Sequence, residues 1–379
     1  MQKNNAFCIK PFTQATIQNN GNIQLCCLSK EKVGHNLKTS TIDTWWNSEF
    51  VDSIRSQMLR GEKPHECRVC YGLEDRGGTS DRQKSNQEYK IYEQYIDKIL
   101  KYQGYPPKTP IEIDLGITNV CNLKCLMCDE INSSSMLTEN KILKINRINQ
   151  DEYKITSEQI DKIKEWIKTR PRLIRFRGGE TFMTPEIKSI LRWALDNYLI
   201  DETEIHITTN GTKLDAEWLG ILNSIKKLRI MASVDAVGSL NEYIRYGSKW
   251  DQMEFNIKTI SEIPNINFMI HTTVMNLNIL HIDQLIAWCN ANNYTLDYGI
   301  LNRPVYYQVH NFPKILLDRA KNKLIETKNA ERFLNILKTN IVKDSNSWAM
   351  FKQEITMRDA IRKNSIFDVL PELKEYWDA

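Results

Sequence analysis

The chain has 379 residues, 26% charged and 41% hydrophobic, with nine cysteines, nine tryptophans and a formal net charge of +4. That length suits two domains or a little more. The aromatic content argues against disorder, and no apolar run approaches the roughly 18 residues of a membrane helix. The opening Met1-Gln2-Lys3-Asn4-Asn5 leads into no apolar h-region, so the expectation is a cytoplasmic protein without a secretory signal.

Charge is spread thinly. The first 110 residues hold 16 Lys/Arg against 12 Asp/Glu, residues 111–305 hold 22 against 25, and the remainder 13 against 10. A nucleic-acid binder concentrates basic charge in one domain or stripe, so nucleic acid is not an expected partner, and neither is a membrane.

Residues 1–75 alternate short polar stretches with turn signals such as Asn19-Asn20-Gly21-Asn22. Residues 41–60 read as one amphipathic helix opened by Thr41. In it Ile42, Trp45, Trp46, Phe50, Ile54, Met58 and Leu59 recur at helical spacing, as a core-facing stripe does. Residues 76–103 are charged and carry a tyrosine-rich helical pattern. Gly104-Tyr105-Pro106-Pro107 then breaks the chain, because proline restricts the residue before it.

From residue 110 the pattern alternates. Candidate strands are 111–117, 173–176, 204–209, 228–233, 266–274 and 296–301; candidate helices between them are 157–168, 185–197, 215–224, 251–262 and 282–290. Such alternation predicts an α/β fold with parallel strands, as an open sheet or a barrel. Six units are fewer than the eight of a closed barrel. Residues 312–379 carry helical patterns only, with Pro371 near the start of the last one. The expected domains are therefore 1–105, 106–305 and a helical extension over 306–379.

The cysteines stand at 8, 26, 27, 67, 70, 121, 125, 128 and 289. Clusters of this kind in a long chain without a signal point to metal rather than to disulfides. Directly after the first strand of the alternating region comes Thr118-Asn119-Val120-Cys121-Asn122-Leu123-Lys124-Cys125-Leu126-Met127-Cys128. Three thiolates within eight residues can converge on one centre. A structural zinc would take a fourth protein ligand, and neither histidine nor cysteine follows closely. An iron–sulfur cluster held by three cysteines keeps one iron open.

C-x3-C-x2-C in this position resembles the signature of the radical S-adenosylmethionine (SAM) superfamily, over roughly residues 110–305. Gly178-Gly179-Glu180 after the second strand is similar to that family's Gly-Gly-Glu-Pro, with Thr181 in place of proline. Thr209-Asn210-Gly211 ends the third strand as the family's Thr-Asn-Gly turn does. Ser233-Val234-Asp235-Ala236 resembles its Ser-x-Asp-Gly, with Ala236 in place of glycine. Arg245 lies twelve residues beyond Ser233, as in relatives where a serine and an arginine hold the methionine carboxylate.

The resemblance implies a partial (β/α)6 barrel in which Cys121, Cys125 and Cys128 ligate a 4Fe–4S cluster and SAM chelates the open iron. Met127 would pack on the adenine, and Gly178, Gly179, Glu180, Thr209, Asn210, Ser233, Asp235 and Arg245 would line the SAM site. An electron donor such as flavodoxin or ferredoxin would drive cleavage to methionine and a 5′-deoxyadenosyl radical, which takes a hydrogen atom from a substrate carbon. The implied substrate is a peptide or protein side chain. Dehydrogenation of a small-molecule alcohol is the alternative, and a non-catalytic metal-binding interaction protein a third reading. No catalytic acid or base is assigned.

Cys8, Gly21 thirteen residues later, Cys26-Cys27 and Cys67-Arg68-Val69-Cys70 resemble the opening half of SPASM and Twitch modules, which bind auxiliary iron–sulfur clusters. The resemblance implies Cys8, Cys26, Cys67 and Cys70 as ligands, with Cys27 as the alternative in second place. The module precedes the barrel here and lacks the seven cysteines of a full SPASM domain, so a single cluster of the shorter Twitch kind is expected. A structural zinc on the same thiolates also fits the spacing. His35 and His65 are alternative ligands or solvated loop residues. Cys289 reads as a buried free thiol. His206 and His271 lie on barrel strands, either packed or as proton donors, and Asp114 and Asn119 have the same two readings.

Overall fold

A computed structural model describes residues 5–29, 35–75, 77–88, 107–145, 153–264, 266–338 and 346–377. Most of the tyrosine-rich segment, from 89, and the break at Gly104-Tyr105-Pro106 lie outside the described residues. Chain contacts group the protein into two compact units. The first is Met1–Asn119, Tyr153–Ile207 and Gly220–Leu228; the second is Val120–Glu152, Thr208–Leu219 and Arg229–Ala379.

In the first unit, β1 (Gln14–Ile17), β2 (Asn22–Gln24) and β3 (His35–Asn36) form an antiparallel meander. The predicted Asn19–Asn22 turn joins β1 to β2, with Gly21 at φ +80°. β1 also pairs in parallel with β4 (Glu112–Gly116), which continues to β5 (Leu173–Arg177) and β6 (Glu204–Thr209). The register explains why both faces are specified. Ala15, Ile113, Ile174 and Ile205 align in one row, and Ile17, Leu115, Phe176 and Ile207 in another. Both rows are buried. Thr16, Asp114, Arg175 and His206 align between them. Because side chains alternate along a strand, this polar row takes the opposite face.

The second unit holds most of β7 (Leu228–Ser233), with β8 (Asn267–Val274) and β9 (Thr295–Ile300), again parallel. Ala232, Ile270 and Leu296 form an aligned apolar row. They share one buried core with Met253, Ile257 and Ile286 from the intervening helices. The C-terminal helices Lys314–Glu326, Glu331–Lys338 and Ser347–Arg362 join that core through Leu316, Phe333 and Phe351.

The fold class is the expected one: α/β, a mostly parallel sheet open as a partial barrel, with a small N-terminal module. The six strands and five helices of the alternating region fall within one residue of their sequence bounds. One expectation needs correction. Residues 41–60 are two helices, Ile42–Trp46 and Glu49–Leu59, because Ser48 takes an extended backbone and its side chain caps the second at Val51 N. Ile42, Trp45, Trp46, Ile54 and Met58 are nonetheless buried as a core stripe. Among the described residues, no helix is long and apolar enough to cross a membrane.

Candidate iron–sulfur and S-adenosylmethionine site

In the second unit the cysteine loop is held from both sides. Lys124 N–H donates to Tyr246 O at 2.9 Å, and Leu126 N–H to Ile244 O at 2.9 Å. On the other side, the serine run that opens the helix Ser134–Leu143 anchors Cys121. Cys121 N–H donates to Ser134 Oγ at 3.3 Å, Ser135 Oγ donates to Cys121 O at 2.6 Å, and Ser133 Oγ to Leu123 O at 2.7 Å. Ser133 also caps that helix at Met136 N. Three serines before an apolar pair are a helix-start signal that the sequence carries locally.

Arg358 and Arg362 brace the loop from the C-terminal helix. Arg362 Nη2 donates to Lys124 O at 2.7 Å and its guanidinium stacks 4.6 Å from the Tyr246 ring centroid. Both arginines bond the buried Glu139. Burial opposes the charge on Glu139, but the bonds to Arg362 and Arg358 hold its carboxyl below the usual range.

Two expected SAM-site groups reach the cysteines. Arg245 Nη1 lies 3.9 Å from Cys125 Sγ, and Asn210 Nδ2 lies 3.9 Å from Cys121 Sγ. Arg245 is buried and pairs with Asp235 at 2.8 Å. Asp235 in turn accepts from Thr273 N–H at 2.8 Å. Asp235 thereby holds the Arg245 guanidinium in place. Asn210 also bonds Asn122 Oδ1 at 3.0 Å and accepts from Thr212 N–H at 2.9 Å, while Thr209 Oγ1 accepts from Gly211 N–H at 3.1 Å. The Thr-Asn-Gly turn is thus an internal staple on the cluster loop. Met127 packs half-buried against the core of the unit, and Ser233 ends β7.

Burial pushes the Cys125 thiol up, and burial together with Cys125 pushes Cys128 up. Binding iron at these thiols therefore releases protons. Among the described residues no three His, Cys, Asp or Glu side chains close on one point as single-ion ligands do. A multi-iron cluster spreads its thiolates over several metals, and N–H groups facing two of the sulfurs suit its negative charge. The residues fit a cluster.

In the first unit, Gly178 and Gly179 take φ +89° and +54°. The side chain of Asn19, from the β1–β2 turn, fills the space over Gly178. Glu180 is fully buried, with Oε1 accepting from Phe182 N–H at 3.1 Å. Asp114 pairs with Arg177, and Asn119 Oδ1 accepts from Tyr153 N–H at 3.2 Å.

The N-terminal thiols also come together. Cys8, Cys26, Cys67 and Cys70 line one cavity of about 330 Å³, mouth included, with Lys10, Asp81 and Arg82. Cys27 is not in that lining; neither are His35 and His65. Arg82 donates to Phe7 O at 2.6 Å and Asn86 to the same carbonyl at 2.8 Å, which fixes the segment carrying Cys8. Lys10 pairs with Asp81. Burial pushes Cys8 up to about 11 and raises Cys26 and Cys70 as well. Four thiols beside a lysine and an arginine suit an anionic iron–sulfur cluster.

The model of the radical SAM superfamily matches residues 115–289, and that of SPASM, an iron–sulfur cluster-binding domain, matches residues 8–71. No curated protein matches the chain. Among solved structures it is similar to native anSMEcpe with bound AdoMet, at 18% identity and a TM-score of 0.43, covering 59% of this chain and 62% of that one. It is also similar to Streptococcus suis SuiB bound to precursor peptide SuiA, at 14% identity and a TM-score of 0.41, covering 84% and 67%. The chain thus spans less than two thirds of anSMEcpe. A radical SAM domain works with a 4Fe–4S cluster and SAM, and a SPASM domain with auxiliary iron–sulfur clusters. From its two matched segments, the chain carries a radical SAM domain over residues 115–289 and, ahead of it, a SPASM domain over residues 8–71.

Proposed function

We propose that this protein uses a cluster on Cys121, Cys125 and Cys128 to cleave SAM reductively and remove hydrogen from a carbon of a peptide or protein side chain. Bound there, the cluster and SAM supply a 5′-deoxyadenosyl radical. The observation that carries the reading is the approach of Arg245 and Asn210 to two of the three thiols. It joins the cysteine loop to the motifs expected to hold the methionine end of SAM. Arg245 serves as the cation for a carboxylate, because its planar fork bonds both oxygens. Asp235 keeps that fork oriented, Glu180 receives an ammonium group, and Met127 packs on the adenine.

Cys8, Cys26, Cys67 and Cys70 hold a single auxiliary cluster, supported by their shared cavity. The organisation into 1–105, 106–305 and 306–379 assigns that cluster, the radical chemistry and a brace to successive segments. A cytoplasmic location and a flavodoxin or ferredoxin donor follow from the need for low-potential electrons. The peptide reading rests on the pairing of a SPASM domain with a radical SAM domain. A small-molecule alcohol is the second reading.

Anaerobic turnover with deuterated substrate pools separates the two. Deuterium entering 5′-deoxyadenosine from a perdeuterated peptide pool supports the first reading. Deuterium arriving only from a pool of perdeuterated sugars and cyclitols replaces it with the second.

A further inference from the structure

Three strands of the second unit set Ser233, His271 and Asp297 in one register row. Neighbouring strands lie about 4.8 Å apart, so His271 stands one strand from Ser233 and Asp297 one strand further. The adjacent row, Ala232, Ile270 and Leu296, is sealed in the helix-packed core. The polar row therefore takes the opposite face of the sheet, with Ser233 at the C-terminal end of β7, the end at which β/α folds place their sites.

His271 Nδ1 lies 2.8 Å from Asp297 Oδ2. A carboxylate only accepts, so the neutral ring carries its proton on Nδ1 and presents Nε2 as the basic atom. Nε2 faces Gly299, where a β-carbon would stand 3.5 Å away. The His271 side chain is 27% exposed, so the ring is partly open to solvent. The other ion-paired histidines differ. His281 has both nitrogens engaged, Nε2 with Glu372 and Nδ1 with Gln284. His206 meets Glu204 through Nε2 itself.

We propose that His271, oriented by Asp297, is the acid–base residue of the substrate site. This rests on the radical reading above. The substrate then carries an O–H, S–H or N–H group on the carbon that loses its hydrogen atom. That group's proton would pass to His271 Nε2 as a carbon–heteroatom double bond forms, and a cluster held by Cys8, Cys26, Cys67 and Cys70 would supply the one-electron acceptor. Asp297 is a positioning residue.

The test is diethyl pyrocarbonate labelling of the full-length protein, with His271 followed by mass spectrometry. The Asp297→Asn variant should slow labelling of His271, because the carboxylate no longer fixes the proton on Nδ1 and leaves Nε2 as the basic atom. It should leave His65 labelling and the circular dichroism spectrum unchanged. Asp297→Glu should restore part of the rate. In the anaerobically reconstituted protein, saturating SAM should slow His271 labelling at least threefold while leaving His65 unaffected. Labelling of His271 that is absent, indifferent to Asp297→Asn or indifferent to SAM overturns the proposal. The labelling of the metal-free chain tests the dyad, and 5′-deoxyadenosine release tests the radical reading, so the two can fail separately.

Discussion

Asn19 and Gly178 interlock: the asparagine side chain of the β1–β2 turn occupies the volume that a Cβ on Gly178 would need. Gly178 opens the Gly-Gly-Glu motif, and its φ of +89° is itself a conformation for glycine. The motif's first glycine is thus explained by a neighbour in the N-terminal segment. Gly178→Ala should lose about 2–4 kcal/mol, combining a left-handed backbone with overpacking. Chemical denaturation measures it. Adding Asn19→Ala should recover the packing part and leave the backbone part, whereas no recovery would show that the contact is incidental.

Much of the architecture was legible. The alternation of apolar rows fixes β4 to β9, because a register slip would turn Ile113, Ile174 and Ile205 outward. β1 was not legible: Gln14-Ala15-Thr16-Ile17 is too short to stand out, and its partner β4 lies almost a hundred residues away. The cysteine and SAM motifs could be read because their spacing is local. Arg358 and Arg362 could not, since within their own helix they read as solvated charges, and only the fold brings Glu139 to them. The break at Ser48 shows the reverse case, in which a local cap overrides a continuous apolar stripe.

Glu139 is the pivot of the brace behind the cysteine loop. Glu139→Gln leaves the buried Arg362 without its carboxylate and Arg358 with Glu354 alone, and should cost about 3–5 kcal/mol. Its carboxyl titrates below the ordinary 4.5, so its contribution is complete above that pH and is lost as pH falls through the depressed value. Wild-type stability should therefore drop more steeply below pH 4.5 than that of Glu139→Gln. Parallel acid unfolding curves would exclude the brace.

Burial raises the Cys289 thiol to about 12. At pH 8 it should resist iodoacetamide in the native protein and react only on unfolding. The unfolded thiol ionises near 9.0 and the folded one only near 12. This group therefore subtracts stability as pH climbs past 9, and Cys289→Ala should flatten that decline. Alkylation of Cys289 in the folded protein would contradict its place in the core.

Cys26 lines the N-terminal cavity and Cys27 does not. In a chain whose Cys121, Cys125 and Cys128 are all alanine, Cys26→Ser should remove the remaining iron and Cys27→Ser should keep it. Iron loss with Cys27→Ser alone would reverse the assignment, and zinc in place of iron would make the site structural.

The central claim concerns the three cysteines of the barrel loop. The most direct test is 5′-deoxyadenosine formation from SAM and dithionite by anaerobically reconstituted protein, with iron and sulfide counted on the same sample. Wild type should release the nucleoside and hold iron for two clusters. The Cys121→Ala/Cys125→Ala/Cys128→Ala variant should release none and hold iron for one. A fully loaded, reduced wild type that forms no 5′-deoxyadenosine would contradict the account.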